Sequence, residues 1–433
     1  MPVSPARAVA FDILQEIERR QSFAVDLLHS DLTAFLPEKD RSLCMQLVMG
    51  VLRWQSSVDA EINRATQNKK LDIEVRLALR LAIFQVRHLD RIPARAAVNE
   101  SVELVKRARK RSAVPFVNAV LRNLADPLPG ESLQLHERFA HPAWMVERWI
   151  AQFGLEQAEF ICAFDQQVPH TSLRLRQTDH AQLADELESA GLKLAPGRIM
   201  TTARIVLSGD VTATAAFRQG HVAIQDEGSQ LVAALVGTGK RILDCCAAPG
   251  GKTSAVADRN PSARILGVEL HEHRLRLMRK MVKAPNVEFL HADITSLPSK
   301  DSFDRILADV PCSGTGTIAR NPEIKWRLTP KDLADLQKRQ ISILKSAMGR
   351  LENGGRLVYS TCSLEMEENQ EVVENSLQKG FRLLDCREAL AVLKTNGELA
   401  WPDPESLCQG PYLRTIPGVH PCDGFFAAIF QRD

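Results

Sequence analysis

The sequence predicts a chain of three parts: an all-α bundle at residues 1–126, a small α+β module at 140–221 and an α/β domain at 222–433. Three observations support this division. At roughly 100–200 residues per domain, 433 residues accommodate two to four domains. Apolar residues recur at spacings of three and four through the first 125 residues. After residue 222 the pattern changes to strand, loop and helix in repeated order.

The N-terminal part shows the helical period throughout. The stretch from Val75 to Leu89 is too apolar for a surface helix, which predicts a central position in a bundle. Farther on, the basic run Lys106–Arg111 separates two apolar segments, which predicts a helix, a basic loop and a second helix. Residues 1–125 carry 20 Lys and Arg against 14 Asp and Glu, a net charge of +6. The basic excess of the chain therefore belongs to this part.

Two prolines and a glycine in Asp126–Gly130 break the helical pattern and predict the first domain boundary. Beyond it, short strand-like pieces at 171–176 and 204–207 flank a helical piece at 182–190. This mixture predicts a small α+β module.

The C-terminal part alternates short apolar runs with helical segments. Alternating β and α units predict a parallel, doubly wound sheet, which binds its ligands at the carboxyl ends of the strands. The apolar runs are 242–243, 265–268, 287–290, 306–308, 357–359, 383–384 and 425–430.

Composition excludes several classes of protein. The chain is 45% hydrophobic and 25% charged, and its sequence has no apolar run near the roughly 18 residues of a membrane span, so neither a transmembrane nor a disordered protein fits. The first residues lack a long apolar stretch, which favours the cytosol over secretion. The nine cysteines are odd in number and include no C-x-x-C pair. The sequence therefore indicates neither a disulfide framework nor a metal site.

The loop after the first strand of this sheet has the composition of a ligand site. In Asp244–Thr253, Gly250 and Gly251 allow close backbone approach, and the following helix offers free N–H groups. A P-loop would require glycine where the chain has Cys246, and no G-x-G-x-x-G fingerprint is present in the sequence. The loop therefore predicts a nucleotide-like ligand of another class.

Acidic residues end the next two strands. Glu269 lies 25 residues after Asp244, where a carboxylate can accept hydrogen bonds from both hydroxyls of a ribose. Asp293 follows the third strand and either reaches an adenine edge or caps a helix. The three strand ends together favour a nucleoside ligand.

Two cysteines follow the fourth and fifth strands, Cys312 within Asp309–Gly316 and Cys362 within Ser360–Ser363. Loop cysteines at a ligand-binding edge favour nucleophilic chemistry. The other isolated cysteines are better explained as small core residues. They are Cys44, Cys162, Cys386, Cys408 and Cys422.

Three of these segments carry a family resemblance. Asp244–Lys252, Asp309–Gly316 and Thr361–Ser363 resemble motifs of the S-adenosylmethionine-dependent RNA cytosine-5 methyltransferases, and Asp423–Ala428 is similar to that family's closing strand. The resemblance implies a Rossmann-like methyltransferase domain and S-adenosyl-L-methionine as cofactor.

The N-terminal part is similar to NusB-type RNA-binding domains at Val98–Val102 and Phe116–Leu124. A NusB-like domain, a middle module and this catalytic domain together resemble the bacterial 16S rRNA cytosine-5 methyltransferases. The resemblance implies a cytoplasmic enzyme that acts on 16S rRNA, either unassembled or in an early assembling small subunit. The sequence has no coiled-coil heptads, which favours a monomer.

The resemblance also implies roles for individual residues. Cys362 is expected to add to C6 of cytosine and Cys312 to help release the adduct, while the Pro-Cys nucleophile of DNA cytosine-5 methyltransferases makes Cys312 the alternative nucleophile. Asp309 is expected to bind the N3/N4 edge of the base and to border the cofactor. Lys252 either binds the cofactor or is a solvated lysine at a helix start. The implied cofactor residues are Cys246, Ala247, Ala248, Pro249, Gly250, Gly251, Lys252, Glu269, Asp293 and Asp309.

A thiol reaches C6 only when the cytosine leaves its stack, so the RNA is expected to be single-stranded, looped or flipped. The expected phosphate contacts lie in the basic run, for which a solvated loop is the alternative. They are Lys106, Arg107, Arg109, Lys110 and Arg111.

Two other function classes compete with this one. A non-catalytic RNA-binding or assembly factor has no need for either thiol. Methylation of a protein or of an RNA nitrogen would typically place an Asn/Asp-Pro-Pro-aromatic motif where the chain has Asp309–Cys312.

Overall fold

The computed structural model describes residues 3–20, 22–124, 133–176, 180–297 and 301–433. The chain divides into two compact units, of which the first contains Met1–Val168 and Ile318–Arg327 and the second contains Pro169–Thr317 and Leu328–Asp433. The predicted boundary at Asp126–Gly130 lies outside the described residues. The three-part borders at 126, 140 and 221 stay predictions.

The first unit is helical, as the apolar spacing predicts. Its helices are α1 Pro5–Arg20, α2 Ala24–Leu28, α3 Asp31–Ala34, α4 Glu38–Arg53, α5 Gln55–Ala65, α6 Ile73–His88, α7 Ala94–Arg107, α8 Val114–Arg122, α9 Leu135–Arg138, α10 Ala143–Phe153, α11 Leu155–Asp165 and α17 Ile324–Arg327.

Helix α6 lies in the core of this unit. Its side chains from Leu77 to Gln85 are buried without interruption, and α6 packs against α1, α4, α5, α7 and α8. A helix that is buried on all sides has an apolar sequence all round, so the predicted central position is confirmed.

The basic run Lys106–Arg111 begins in helix α7, whereas the sequence predicted that it forms a loop. Lys106 and Arg107 form the last turn of α7, where cations interact favourably with the carboxyl end of a helix. Arg109 has a φ of 59° in the connection to α8.

The second unit contains a small antiparallel sheet of order β2-β3-β1-β4. Its strands confirm the predicted α+β module. The elements are β1 Thr171–Leu175, α12 His180–Ser189, β2 Lys193–Pro196, β3 Ala203–Ser208, α13 Ala215–Gln219 and β4 Val222–Ile224.

The second unit also contains a large sheet of order β11-β12-β13-β9-β8-β5-β6-β7, with β10 beside β13. Its strands are β5 Arg241–Asp244, β6 Arg264–Glu269, β7 Val287–His291, β8 Phe303–Asp309, β9 Leu351–Thr361, β10 Phe381–Leu384, β11 Cys408–Gln409, β12 Tyr412–Thr415 and β13 Phe425–Arg432. The helices are α14 Glu227–Leu235, α15 Gly251–Arg259, α16 Glu272–Met281, α18 Pro330–Met348, α19 Gln370–Ser376 and α20 Cys386–Thr395.

Consecutive residues of the same strand pack into different hydrophobic cores. Ile242, Leu307 and Val358 belong to one buried cluster, and their neighbours Leu243, Ile306 and Leu357 belong to another. Because successive side chains of a strand point to opposite faces, the sheet is covered on both faces, as a doubly wound fold requires.

The prediction of an entirely parallel sheet is wrong for its last strands. β9, β8, β5, β6 and β7 are parallel, but β13 runs antiparallel to β9, and β10 and β12 run antiparallel to β13. The connection from Thr415 to Phe425 is too short for the crossover that parallel pairing needs, so β12 and β13 form an antiparallel pair. In the part of the chain that the structure describes, none of the helices has the length and apolar composition of a membrane span.

Candidate active site

Four strands of the large sheet bring acidic and sulfur side chains to one edge. β5, β6 and β8 end at Asp244, Glu269 and Asp309, and Cys362 follows β9 directly. Parallel pairing places Asp309 opposite Ser360 in the register of β8 and β9. The prediction that the candidate residues follow successive strands is confirmed.

The loop between β5 and α15 contains a buried carboxylate. Thr253 Oγ1 in α15 donates a hydrogen bond to Asp244 Oδ2 at 2.7 Å. Burial raises the pKa of Asp244 to about 7. Gly250, the N-cap residue of α15, has a φ of 106°, and an added Cβ would lie 2.3 Å from Val282 Cγ2. The tight turn into α15 therefore requires glycine.

Glu269 is buried at the end of β6, where its Oε1 accepts a hydrogen bond from the His271 backbone at 2.8 Å. Arg274 in α16 lies 4.0 Å from Glu269 Oε2 and donates to the carbonyl of Ala248 at 3.0 Å. The Arg274 side chain thus connects this strand end with the loop after β5. Sequence reasoning missed Arg274, because only its position five residues after Glu269 could have drawn attention to it.

Asp293 is exposed two residues after β7. Its Oδ1 accepts hydrogen bonds from the Thr295 backbone at 2.8 Å and from Thr295 Oγ1 at 2.7 Å. These contacts occupy one carboxylate oxygen in a local turn at 294–296, which is not a helix, so Asp293 caps a turn rather than the helix of the alternative. Contact with an adenine stays a prediction.

Lys252 and Asp309 form an ion pair at the centre of the edge. Lys252 Nζ donates to Asp309 Oδ2 at 2.8 Å, and Ser360 Oγ donates to Asp309 Oδ1 at 2.7 Å. Burial lowers the pKa of Lys252, but the neighbouring acidic groups, with Asp309 foremost and Asp244 contributing, together outweigh burial, and the net pKa is raised. The alternative of a solvated lysine is wrong, since only 14% of the side chain is exposed. Sequence reasoning missed Ser360, whose position opposite Asp309 depends on strand register.

The two loop cysteines meet at this edge. Cys312 Sγ and Cys362 Sγ lie 3.4 Å apart, and both cysteines are reduced and partly buried. The hydrogen bond with Cys362 and burial together raise the pKa of the Cys312 thiol. The arrangement places two sulfurs, a carboxylate and an ammonium around one small region, which suits covalent chemistry on a polar ring.

Comparison with known proteins agrees with this geometry. A family model described as 16S rRNA methyltransferase RsmB/F matches residues 234–431. The NusB family model matches residues 4–126, and an RsmF/B-like ferredoxin-like domain matches residues 141–213.

Two curated relatives match along nearly their whole length. The probable ribosomal RNA small subunit methyltransferase B of Bacillus subtilis is 32% identical over 455 aligned positions, covering 100% of each chain. The chain belongs to the RsmB family. The ribosomal RNA small subunit methyltransferase B of Citrobacter koseri is 32% identical over 429 positions, covering 96% of this chain and 95% of the relative. The crystal structure of PH0851 has a TM-score of 0.80 at 20% identity over the whole of both chains, which shows the shared fold.

As a member of the RsmB family, the chain is a methyltransferase that uses S-adenosylmethionine. The donor set at the sheet edge fits this cofactor. The buried carboxylate of Glu269 suits a pair of ribose hydroxyls, and the backbone N–H groups at the start of α15 suit the methionine carboxylate. The binding roles predicted for Cys246–Lys252, Glu269 and Asp293 stay predictions.

The predicted RNA-binding cations lie on the first unit, and several already have acidic partners. Lys106 pairs with Glu103, Arg107 with Asp12 and Lys110 with Asp72, at 2.6, 2.6 and 2.8 Å. Exposed pairs of this kind contribute little to stability, so phosphates can replace these partners. Among the described residues, no group of three or more His, Cys, Asp and Glu side chains is arranged to hold a metal ion.

Proposed function

We propose that this RsmB-family enzyme transfers the methyl group of S-adenosylmethionine to C5 of one cytosine in 16S rRNA, at the position known as cytosine 967. The observation that carries the proposal is the 3.4 Å separation of two thiols beside the Lys252–Asp309 pair. The relatives named above are ribosomal RNA small subunit methyltransferases, which supports 16S rRNA as the substrate.

Cytosine C5 is a weak nucleophile until a thiolate adds to C6. We assign this addition to Cys362, because bond formation between its sulfur and C6 moves electrons onto C5 and makes it enamine-like. The bound cofactor supplies an electrophilic methyl group. Cys312 is the alternative nucleophile, and we favour Cys362 because Thr361–Cys362 resembles the motif typical of the RNA enzymes.

Asp309 and Lys252 orient the base in this proposal. A carboxylate at the N3/N4 edge accepts hydrogen bonds from the exocyclic amine and from a protonated N3. Lys252 and Ser360 each hold one oxygen of Asp309, so that carboxylate is preorganised before the base arrives.

Release of the enzyme requires transfer of the C5 proton to a base, here a water molecule, so that the electrons of the C5–H bond form the C5–C6 double bond as the Cys362 sulfur departs. When the bond between that sulfur and C6 breaks, its electrons return to sulfur as a thiolate. The Cys312 thiol is within hydrogen-bond distance of the Cys362 sulfur and is placed to stabilise the departing thiolate. Cys312 thereby assists adduct release without forming a bond to the base.

The proposal includes the setting of the reaction. The cytosine is presented in single-stranded, looped or flipped form, on 16S rRNA that is unassembled or in an early assembling subunit. Phosphate contacts come from Lys106, Arg107, Arg109, Lys110 and Arg111. The enzyme acts in the cytoplasm as a monomer.

The test uses unmodified 16S rRNA, S-adenosylmethionine with a labelled methyl group, and the variants Cys362→Ala and Cys312→Ala. We expect Cys362→Ala to abolish transfer. Cys312→Ala is expected to accumulate a protein–RNA adduct that survives denaturation, and mass mapping of the RNA locates the labelled cytosine. Cys408→Ala, a partly buried cysteine outside the site, is the control. Adduct accumulation in Cys362→Ala would exchange the two roles, and label on a nitrogen would refute the C5 assignment.

A further inference from the structure

A serine follows each of the two site cysteines, and these two serines also meet. Ser313 follows Cys312 and Ser363 follows Cys362. Their Oγ atoms lie 3.0 Å apart, alongside the 3.4 Å contact of the two sulfurs. The loops after β8 and β9 therefore contact each other twice, at consecutive residues.

A single carboxylate joins these two serines. Glu368 is fully buried in the turn between β9 and α19. Its Oε2 accepts hydrogen bonds from Ser313 Oγ and, at 2.5 Å, from Ser363 Oγ. Its Oε1 accepts a hydrogen bond from the Ser313 backbone at 2.8 Å. One acid thus holds the residue after each cysteine.

Gln340 connects the same carboxylate with the residue before Cys312. Gln340 in α18 donates through Nε2 to Glu368 Oε1 at 2.8 Å and to the carbonyl of Pro311 at 2.9 Å. Glu368 is itself held, because Tyr359 in β9 donates from its hydroxyl to the Glu368 carbonyl at 2.5 Å. Both flanks of Cys312 are therefore attached to a fixed acid.

Burying a charged carboxylate at this place costs desolvation free energy, which hydrogen bonds to the carboxylate must offset. Two serine hydroxyls could bond to each other without any acid, whereas a buried carboxylate loses its hydration and needs several donors in compensation. An ionised carboxylate can accept from two hydroxyls, a backbone N–H and an amide at once, and these hydrogen bonds lower a pKa that burial raises. The network is therefore specialised to tie several chain segments to one point.

We propose that Glu368 is a positioning residue that fixes the separation of the Cys312 and Cys362 thiols by holding Ser313 and Ser363. Its relevance to catalysis rests on the function proposed above, in which one sulfur attacks and the other assists its departure. A shift of about 1 Å in such a pair can cost roughly 100-fold in rate. The geometric part of the proposal is independent of any activity.

The first test measures thiol separation directly. Diamide takes two hydrogen atoms from two neighbouring thiols, which become a disulfide while the diazene is reduced to a hydrazine. We expect Glu368→Leu to form the Cys312–Cys362 disulfide at least about tenfold more slowly than the wild type, because cross-linking depends on alignment of the two sulfurs. Peptide mapping by mass spectrometry identifies the linked pair among the nine cysteines.

The control is Glu371→Gln, an acid in α19 that accepts a hydrogen bond from Gln337 and lies outside this network. Its disulfide rate is expected to match the wild type. If Glu368→Leu does not fold, the double variant Ser313→Ala/Ser363→Ala removes both hydroxyl bonds to Glu368 and leaves, of the bonds from these two residues, only the bond from the Ser313 backbone. A wild-type disulfide rate in a folded Glu368→Leu or double variant overturns the proposal.

The second test separates positioning from general stability. In folded Glu368→Leu we expect kcat for methyl transfer to fall at least about tenfold while KM for S-adenosylmethionine is unchanged. A fall in kcat that merely follows a lower melting temperature, with an unaltered disulfide rate, would mean a structural role only. If the disulfide slows but the wild type transfers no methyl group to any RNA, the function proposed above fails while the positioning role stands.

Discussion

Two lysines that are largely shielded from solvent, one in each compact unit, differ in the chemistry of their partners. In the second unit, Lys252 contacts the Asp309 carboxylate, and its pKa is raised despite burial. In the first unit, Lys325 in α17 donates to the carbonyl oxygens of Arg53 and Ala140, at 2.8 and 2.9 Å. Burial lowers the pKa of Lys325 to about 7.

The difference shows that burial alone does not decide the charge of a lysine. Carbonyl oxygens satisfy the hydrogen bonds of an ammonium group without neutralising its charge, whereas a carboxylate does both. Near Lys325, Asp165 raises the pKa and the Arg53 guanidinium lowers it, but desolvation is the larger effect. Lys252 therefore stays a cation suited to chemistry, while Lys325 is a hydrogen-bond donor that anchors the segment 318–327 within the first unit.

The largest effect expected from this comparison concerns Lys252. Lys252→Met roughly keeps the length of the side chain but removes the cation that pairs with Asp309 and lies over the Phe425 ring. We expect single-turnover methyl transfer to fall about 1000-fold, because Asp309 loses its preorganising partner. The measurement is label transfer to unmodified rRNA at saturating cofactor.

Lys338→Met is the matched control for that variant, since Lys338 is an exposed lysine of α18 paired with Asp335. It is expected to behave as the wild type. Activity of Lys252→Met within tenfold of Lys338→Met would show that the ion pair is structural, and Lys252 would then belong with Lys325 rather than opposite it.

The surroundings of the two lysines also show which contacts can be predicted from the sequence and which cannot. Asp244, Glu269 and Asp309 could be placed at strand ends because each follows a short apolar run, and a parallel sheet collects such ends at one edge. The approach of Cys312 and Cys362 followed from the same rule once their strands were taken as neighbours.

Contacts between segments that are far apart in the sequence could not be predicted from it. The partner of Lys252 lies 57 positions away, and the ring of donors around Glu368 depends on three separate segments. The position of the segment with Lys325 could not be predicted either. This segment follows the Cys312 loop in the sequence, yet it packs within the first unit. No local period or motif marks a lysine whose acceptors are the carbonyls of Arg53 and Ala140.

The next effect in size concerns the stability of the first unit. Lys325→Ala is expected to be less stable than Lys325→Met by about 3 kcal/mol, because alanine leaves a cavity that methionine fills. Lys325→Met itself is expected to be as stable as the wild type or more stable, since it removes a group that is costly to bury. Urea denaturation followed by tryptophan fluorescence reports on this unit, which contains Trp54, Trp144, Trp149 and Trp326.

Equal stability of the two variants would contradict the buried packing role of Lys325. A large loss in both variants, with Lys325→Met well below the wild type, would instead show that the two carbonyl contacts outweigh the cost of burying the amine.

The smallest effect expected is a pH dependence. The pKa of Lys325 is lowered from 10.5 in the unfolded chain to about 7 in the folded protein, so between these values the unfolded state binds more protons. Stability therefore rises with pH in this window. From pH 7 to pH 9 we expect the wild type to gain about 2 kcal/mol relative to Lys325→Met, in the same urea experiment.

In the folded protein the neighbouring groups do not titrate between pH 7 and pH 9, and their titration in the unfolded chain is common to the wild type and Lys325→Met. Burial and Lys325 lower the pKa of His141 well below its usual range, burial raises that of Cys162, and the pKa of Arg53 is lowered only to about 10. Asp165 lies beside His141, and in the unfolded chain an aspartate is already fully ionised at pH 7. Parallel stability profiles for the wild type and Lys325→Met would mean that Lys325 keeps its proton, and the contrast with Lys252 would then reduce to geometry alone.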